Sequence, residues 1–188
     1  MKLYHCSPTP GIKTLEPSVP HYFGKPRQVC LTARVPMALF YGIRHFEYTY
    51  GYTRDGRLYY EEYFPGALEE LYGGKTASLY TCSHRADMET TPIPNEYVSA
   101  LPVAVDSEII IPDLYAALLE QEALGAVKLI RWPEISPESR AWIAEAEAQT
   151  ILEKGLLSQP DSPFGQYMRK TYPESWALAQ ETTQEAQS

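Results

Sequence analysis

Apolar residues occur in short runs along the first two thirds of the chain, and several runs alternate apolar with polar positions. This pattern predicts short β-strands rather than long helices. Prolines at positions 8, 10, 17 and 20 keep the segment after the first run out of helix. The predicted strands are residues 2–6, 28–33, 77–82, 96–99, 102–105 and 127–132.

Helical spacing occurs in four segments between and after these strands. Pro36 stands at a plausible first helical position and predicts a helix of about ten residues that includes Tyr41. Two further helices are predicted over residues 66–72 and 112–124. The clearest helix begins after the cap residue Ser136 and runs to Gly155.

Residues 45–64 alternate aromatic and polar side chains around Asp55 and Gly56, which predicts a two-stranded ribbon with a tight turn. Strands and helices do not alternate regularly, so the pattern favours an α+β fold with a mostly antiparallel sheet. We expect one domain over residues 1–157 and a helical extension with a frayed tail over residues 158–188.

Composition narrows the class of protein. The net charge of −8 disfavours a protein that coats nucleic acid or an anionic membrane, since both require clustered cations. No apolar run approaches the roughly 20 residues of a membrane helix, and the first residues lack a secretory signal. These observations predict a cytoplasmic protein.

Cysteine and tyrosine add two expectations. Cys6, Cys30 and Cys82 are odd in number and widely spaced, which fits neither a disulfide framework nor a zinc site, so we expect plain buried thiols in a reducing compartment and no metal. Many of the 15 tyrosines fall between Tyr41 and Tyr80. This stretch could form a pocket or partner surface, or a hairpin with one wet face; the sequence favours neither.

No phosphate-binding glycine loop, metalloprotease motif or nucleophile elbow occurs in the chain. Three separated segments remain as candidates for chemistry. The first is His5-Cys6-Ser7 at the end of a strand, and the second runs from Val29 through Ala33 to Tyr41. The third is Asn95-Glu96-Tyr97 at the start of a late strand.

In their order and approximate spacing these segments resemble the ADP-ribosyltransferases of the diphtheria-toxin-like and poly-ADP-ribose-polymerase-like group. That group has His-Gly-Ser or His-Gly-Thr at the end of its first strand, an aromatic strand leading into a helix that ends Ser-x-x-Tyr, and a late glutamate. The resemblance covers roughly the first 110 residues and implies a split antiparallel sheet that holds NAD as substrate in a cleft.

The resemblance also implies residue roles. His5 would bond a ribose hydroxyl, Tyr41 would stack on nicotinamide, and Glu96 would be the catalytic carboxylate. Cys6, Ser7 and Cys30 would flank the bound NAD. The product would be ADP-ribose transferred to an acceptor, such as a protein, or to water.

Three positions depart from the family pattern. Cys6 stands where the family has glycine, Cys30 where it has an aromatic residue, and Ala38 where it has a serine. The alternative is therefore a non-catalytic relative whose altered cleft serves as a binding or protein-interaction module.

Overall fold

The computed structural model describes residues 1–18, 26–43 and 48–185, with the backbone alone at 48 and 49. The chain forms two compact units. The N-terminal unit comprises Met1–Tyr60 and Leu68–Leu129, and the C-terminal unit comprises Glu61–Ala67 and Ile130–Ser188. These bounds differ from the expected division after residue 157. Because compactness does not test independent folding, that division remains a prediction.

The described strands belong to three sheets. In chain order they are β1 Lys2–Ser7, β2 Thr14–Leu15, β3 Val29–Thr32, β4 Tyr48–Tyr52, β5 Leu58–Glu62, β6 Ala77–Ser83, β7 Glu89–Thr90, β8 Glu96–Ser99, β9 Val103–Ala104, β10 Ser107–Ile111 and β11 Val127–Ile130. The largest sheet has the order β10-β6-β1-β3-β8-β7, and all its pairings are antiparallel. A three-stranded sheet has the order β11-β5-β4, and β2 pairs with β9.

The described residues form six α-helices beside the sheets: α1 Val35–Phe40, α2 Ala67–Tyr72, α3 Leu114–Ala123, α4 Pro137–Glu153, α5 Pro163–Thr171 and α6 Pro173–Glu185. The prediction of an α+β fold with mostly antiparallel strands is thereby confirmed. The predicted ribbon corresponds to β4 and β5, with Asp55 and Gly56 in the turn between them.

Helix α1 is shorter than predicted. Its last residue is Phe40, and Tyr41 forms the C-cap. Gly42 follows at a point where the chain passes close to two other elements: a Cβ atom here would lie 2.9 Å from Cys6 Sγ and 3.0 Å from Leu114 Cδ1. Close packing against β1 and α3 therefore requires glycine at position 42.

Each face of the large sheet has its own core. On one face, which we call the helix-covered face, Cys6 and Leu79 pack with buried residues of α1 and α3. On the other, the opposite face, Leu3, Leu31 and Tyr80 pack beneath Leu15 and Val103, the paired residues of β2 and β9. Neighbouring residues of β1 thus contribute to different cores, as strand geometry requires.

The C-terminal unit is mostly helical. Helix α4 begins after Ser136, whose Oγ accepts a hydrogen bond from the Ser139 N–H at 3.1 Å, as the cap prediction required. It packs against α6. Within α6, Trp176 and Ala179 are buried. Helix α6 continues to Glu185; the frayed tail stays a prediction, and residues 186–188 lie outside the described part of the chain.

The packing of α3 gives a direct test of the core. Leu118 is fully buried, whereas its neighbour Leu119 is 37% exposed. We expect Leu118→Ala to lower the free energy of unfolding by about 2–5 kcal/mol, because it removes buried methyl groups and leaves a cavity. The matched variant Leu119→Ala should change it by less than about 1 kcal/mol. Urea denaturation measures both, and equal effects would contradict the assigned face of α3.

Candidate functional site

The three segments singled out in the sequence lie on neighbouring strands. His5, Cys6 and Ser7 end β1, Cys30 lies in β3, and Glu96 begins β8. These strands are adjacent in the order β1-β3-β8. Residues far apart in the sequence are therefore brought to the middle of one sheet.

Strands β1 and β3 are joined by very little backbone pairing. Only one residue pair, Tyr4 with Thr32, joins the two strands. The Ala33 N–H donates to Asn95 O, in the turn before β8. Backbone polar groups of successive strand residues point alternately to the two neighbouring strands, so Cys30 O, three residues earlier, points toward β1. There it accepts a hydrogen bond from His5 Nδ1 at 3.0 Å. A side chain thus bridges the two strands where a ladder bond would otherwise lie.

This hydrogen bond determines which form of His5 is present. A carbonyl oxygen can only accept, so Nδ1 carries the proton. Burial lowers the pKa of His5, although the bond to Cys30 O opposes that shift. In the neutral ring, Nε2 is then a hydrogen-bond acceptor, and no described residue donates to it.

Cys6 belongs to the core of the helix-covered face. Its side chain is 3% exposed and packs against Gly42 at the end of α1. Burial raises the pKa of its thiol to about 12, so it stays protonated at neutral pH. Because His5 and Cys6 are consecutive strand residues on different sides of the sheet, they form no Cys–His pair.

Ser7 and Cys30 are both half-buried. Ser7 Oγ accepts a hydrogen bond from the Thr9 N–H at 3.2 Å, which shapes the turn after β1. The Gln28 side-chain amide lies 3.9 Å from Cys30 Sγ. Cys6, Cys30 and Cys82 are not joined in disulfides. Cys6 and Cys82 are buried, as predicted, whereas Cys30 is only half-buried.

Tyr41 is half-buried and packs against the core of the helix-covered face. Its backbone N–H donates to Ala38 O at 3.0 Å and closes the last turn of α1. Ala38, which stands where the family has a serine, is 1% exposed. This position is therefore part of the core.

Glu96 follows Asn95, which adopts a left-handed backbone conformation with φ of 65°. Asparagine tolerates this conformation better than most residues, and the turn places Glu96 opposite Thr32. Glu96 Oε2 accepts a hydrogen bond from Thr91 Oγ1 at 2.5 Å. The Tyr52 hydroxyl donates to Pro94 O at 2.8 Å and ties β4 to the turn before Glu96.

Strand register defines which candidates share a face. Glu96 pairs with Thr32 and Thr32 with Tyr4, so Glu96 lies on the helix-covered face, where Tyr41 also packs. His5 leaves β1 on the opposite side, and its ring turns into the gap between β1 and β3 to reach Cys30 O. The three segments therefore lie on neighbouring strands. The His5 side chain, however, leaves β1 on the side of the sheet opposite to Glu96.

Sequence reasoning missed a second carboxylate, Glu108 of β10. It lies in a row with Tyr80 and His5 across three strands on the opposite face. Its Oε1 accepts hydrogen bonds from the Gly11 N–H at 2.8 Å and the Ser78 hydroxyl at 2.7 Å. These donors, the Gly11 N–H first, hold the pKa of Glu108 below its ordinary value. Tyr80 is fully buried, and Glu108 binds the N–H of Gly11 in the loop after β1. We therefore interpret this row as an anchor for that loop.

Two further findings concern the described residues as a whole. They contain no group of three His, Cys, Asp or Glu side chains arranged to hold a metal ion. No helix among them combines the length and apolar character needed to cross a bilayer.

The chain was compared with protein-family models, with curated proteins and with solved structures, and none of the three comparisons found a match.

The environment of His5 predicts a pH dependence. The unfolded chain has a histidine pKa near 6.5, and the folded value lies below it. As pH falls through about 6.5, the histidine of the unfolded chain binds a proton before the folded His5 does. Proton binding therefore favours the unfolded state, and the free energy of unfolding decreases. Between pH ~7.5 and ~5, wild-type protein should lose more free energy of unfolding than His5→Gln. A His5 titration midpoint above 6.5 by NMR would contradict the assignment.

Proposed function

We propose that the protein is an ADP-ribosyltransferase-like domain that binds NAD, breaks its nicotinamide bond and passes ADP-ribose to an acceptor or to water. The observation that supports this most is the adjacency of the three family-like segments on β1, β3 and β8, with His5 bridging the first two strands. We place its activity in the cytoplasm, in keeping with cysteines that are not joined in disulfides.

His5 is proposed to recognise a ribose of NAD. Its Nδ1–H is occupied by Cys30 O, which fixes the ring and leaves Nε2 as an acceptor. A ribose hydroxyl is a donor of matching chemistry. Tyr4 and Thr32 are the residue pair that joins β1 to β3, and the proposal puts the NAD cleft where this pairing ends.

Glu96 is proposed as the catalytic carboxylate. When the bond between nicotinamide and ribose breaks, its electrons leave with nicotinamide and positive charge develops on the ribose. A fixed carboxylate stabilises that charge more than it stabilises the substrate. The acceptor oxygen then bonds to the ribose carbon and loses its proton, which Glu96 can receive.

Tyr41 is proposed to stack on nicotinamide through the part of its ring that the core leaves uncovered. Cys6, Ser7 and Cys30 would flank the NAD through their backbone, since the Cys6 side chain is buried. Acceptors would be protein side chains or water.

Specific observations also favour the second candidate, a non-catalytic binding or interaction module. Cys6 and Ala38 replace family residues that contact nicotinamide, and both side chains are buried in the core. Glu96 is hydrogen-bonded to Thr91, and His5 leaves its strand on the other side of the sheet. In this alternative the tyrosine-rich ribbon of β4 and β5 is the contact surface; residues 44–47 before it lie outside the described residues.

Nicotinamide release separates the two candidates. The purified protein is incubated with NAD labelled in its adenylate, alone and with a cell extract, and free nicotinamide and protein-bound label are measured. At about 4 Å and an effective dielectric near 20, one charge is worth roughly 4 kcal/mol. Glu96→Gln should therefore slow nicotinamide release about a thousandfold.

Glu89→Gln is the matched control, because Glu89 is an exposed carboxylate on the adjacent strand β7. It should retain wild-type release. Thermal stabilisation by NAD without release would support a binding module. Absence of both release and stabilisation would exclude the NAD proposal and leave the protein-interaction alternative.

A further inference from the structure

A cavity of about 150 Å³ lies within the C-terminal unit. Its walls come from the segment after β5, from the turn after β11, from α4 and from the junction of α5 and α6. The side chains that matter here are Tyr63, Phe64, Trp132, Arg140, Ile143 and Tyr172. Most of the wall is aromatic or aliphatic, so the cavity favours an apolar occupant.

Packing among the walls fixes their shape. Phe64 meets Tyr172 edge to face, with ring centroids 5.8 Å apart. The Trp132 backbone N–H donates to Glu62 Oε2 at 2.8 Å, and Ile143 is 2% exposed on α4. These contacts fix the positions of Phe64, Tyr172 and the Trp132 backbone around the cavity.

Among the described residues that line this cavity, Arg140 is the one cation. Its Nη2 donates to Trp132 O at 2.6 Å, and its guanidinium lies 5.0 Å from the centroid of the Trp132 ring. Its Nε is buried and has no hydrogen-bond acceptor. Within the part of the chain that the structure describes, no carboxylate forms an ion pair with this guanidinium.

A buried N–H without an acceptor is unfavourable, and an anionic oxygen is its strongest partner. A cavity of about 150 Å³ accommodates a ring the size of benzene. We infer that this cavity binds a small aromatic monocarboxylate, with its ring against Phe64 and Trp132 and its carboxylate on Arg140. Because Arg140 is the one cation among the described residues of the wall, the occupant carries a single carboxylate. The inference is independent of NAD.

Benzoate is the test ligand and benzyl alcohol is its uncharged counterpart. The full-length protein is labelled with ¹⁵N, and the Trp132 indole N–H, assigned with Trp132→Phe, is followed during titration. Benzoate should give a saturable shift with a midpoint in the millimolar range. Benzyl alcohol should bind at least about tenfold more weakly, because it lacks the charge that Arg140 recognises.

Three variants define the site. Arg140→Gln should weaken benzoate at least about tenfold, since it removes the cation. Ala144→Leu adds volume at the cavity wall without changing charge and should abolish saturable binding while the melting temperature stays near that of wild type. Glu174→Gln is the control and should keep the benzoate midpoint within about threefold, because its exposed charge is screened by water.

A further experiment asks whether the carboxylate belongs to a free small molecule or to the C-terminus of a peptide. A short peptide ending in phenylalanine is compared with benzoate, and tighter binding of the peptide would assign the site to a chain terminus with the same chemistry. Shifts that stay linear with benzoate, equal binding of benzyl alcohol, or unchanged binding in both Arg140→Gln and Ala144→Leu would each overturn the inference.

Discussion

The arrangement of the N-terminal unit depends on how β1 is held between its two neighbours. Toward β6 it forms a continuous antiparallel ladder, and toward β3 it forms a single residue pair and the bond from His5 to Cys30 O. A ladder on one side and a side-chain bridge on the other hold β1 in the middle of one six-stranded sheet. The hydrogen bond of His5 and the adjacency of β1 to β3, which itself pairs with the strand that carries Glu96, both depend on this arrangement.

Local signals in the sequence predicted much of the fold. Asp55-Gly56 identified the ribbon, Ser136 and Pro137 the start of α4, and alternating residues the strands β1, β3 and β8. Strand β10 was missed because Ile109, Ile110 and Ile111 form an unbroken apolar run with no alternation, and two of them are exposed at the sheet edge. The short strand β7 lies in a polar segment and pairs only because β8 is beside it.

The sequence suggested which residues belong to the candidate site, and that membership stays a prediction; their geometry could not be predicted. Motif order pointed to His5, Tyr41 and Glu96, and their strands or helix adjoin in the fold. Register decides the direction of each side chain, and register depends on pairing partners that no local sequence signal specifies. For the same reason neither Glu108, which holds the loop after β1, nor the Arg140 cavity was foreseen. Both arise from residues distant in the chain.

The contact between Gly42 and Cys6 has an evolutionary consequence. A methyl group at position 42 would meet the sulfur of Cys6 and the end of Leu114, so these sites share one small volume. A glycine at position 6 would vacate part of that volume, although a methyl group at position 42 would still lie 2.9 Å from the Leu39 carbonyl oxygen. The two positions are therefore epistatic in part: Gly42→Ala should be less destabilising beside a glycine at position 6 than beside cysteine, but not neutral.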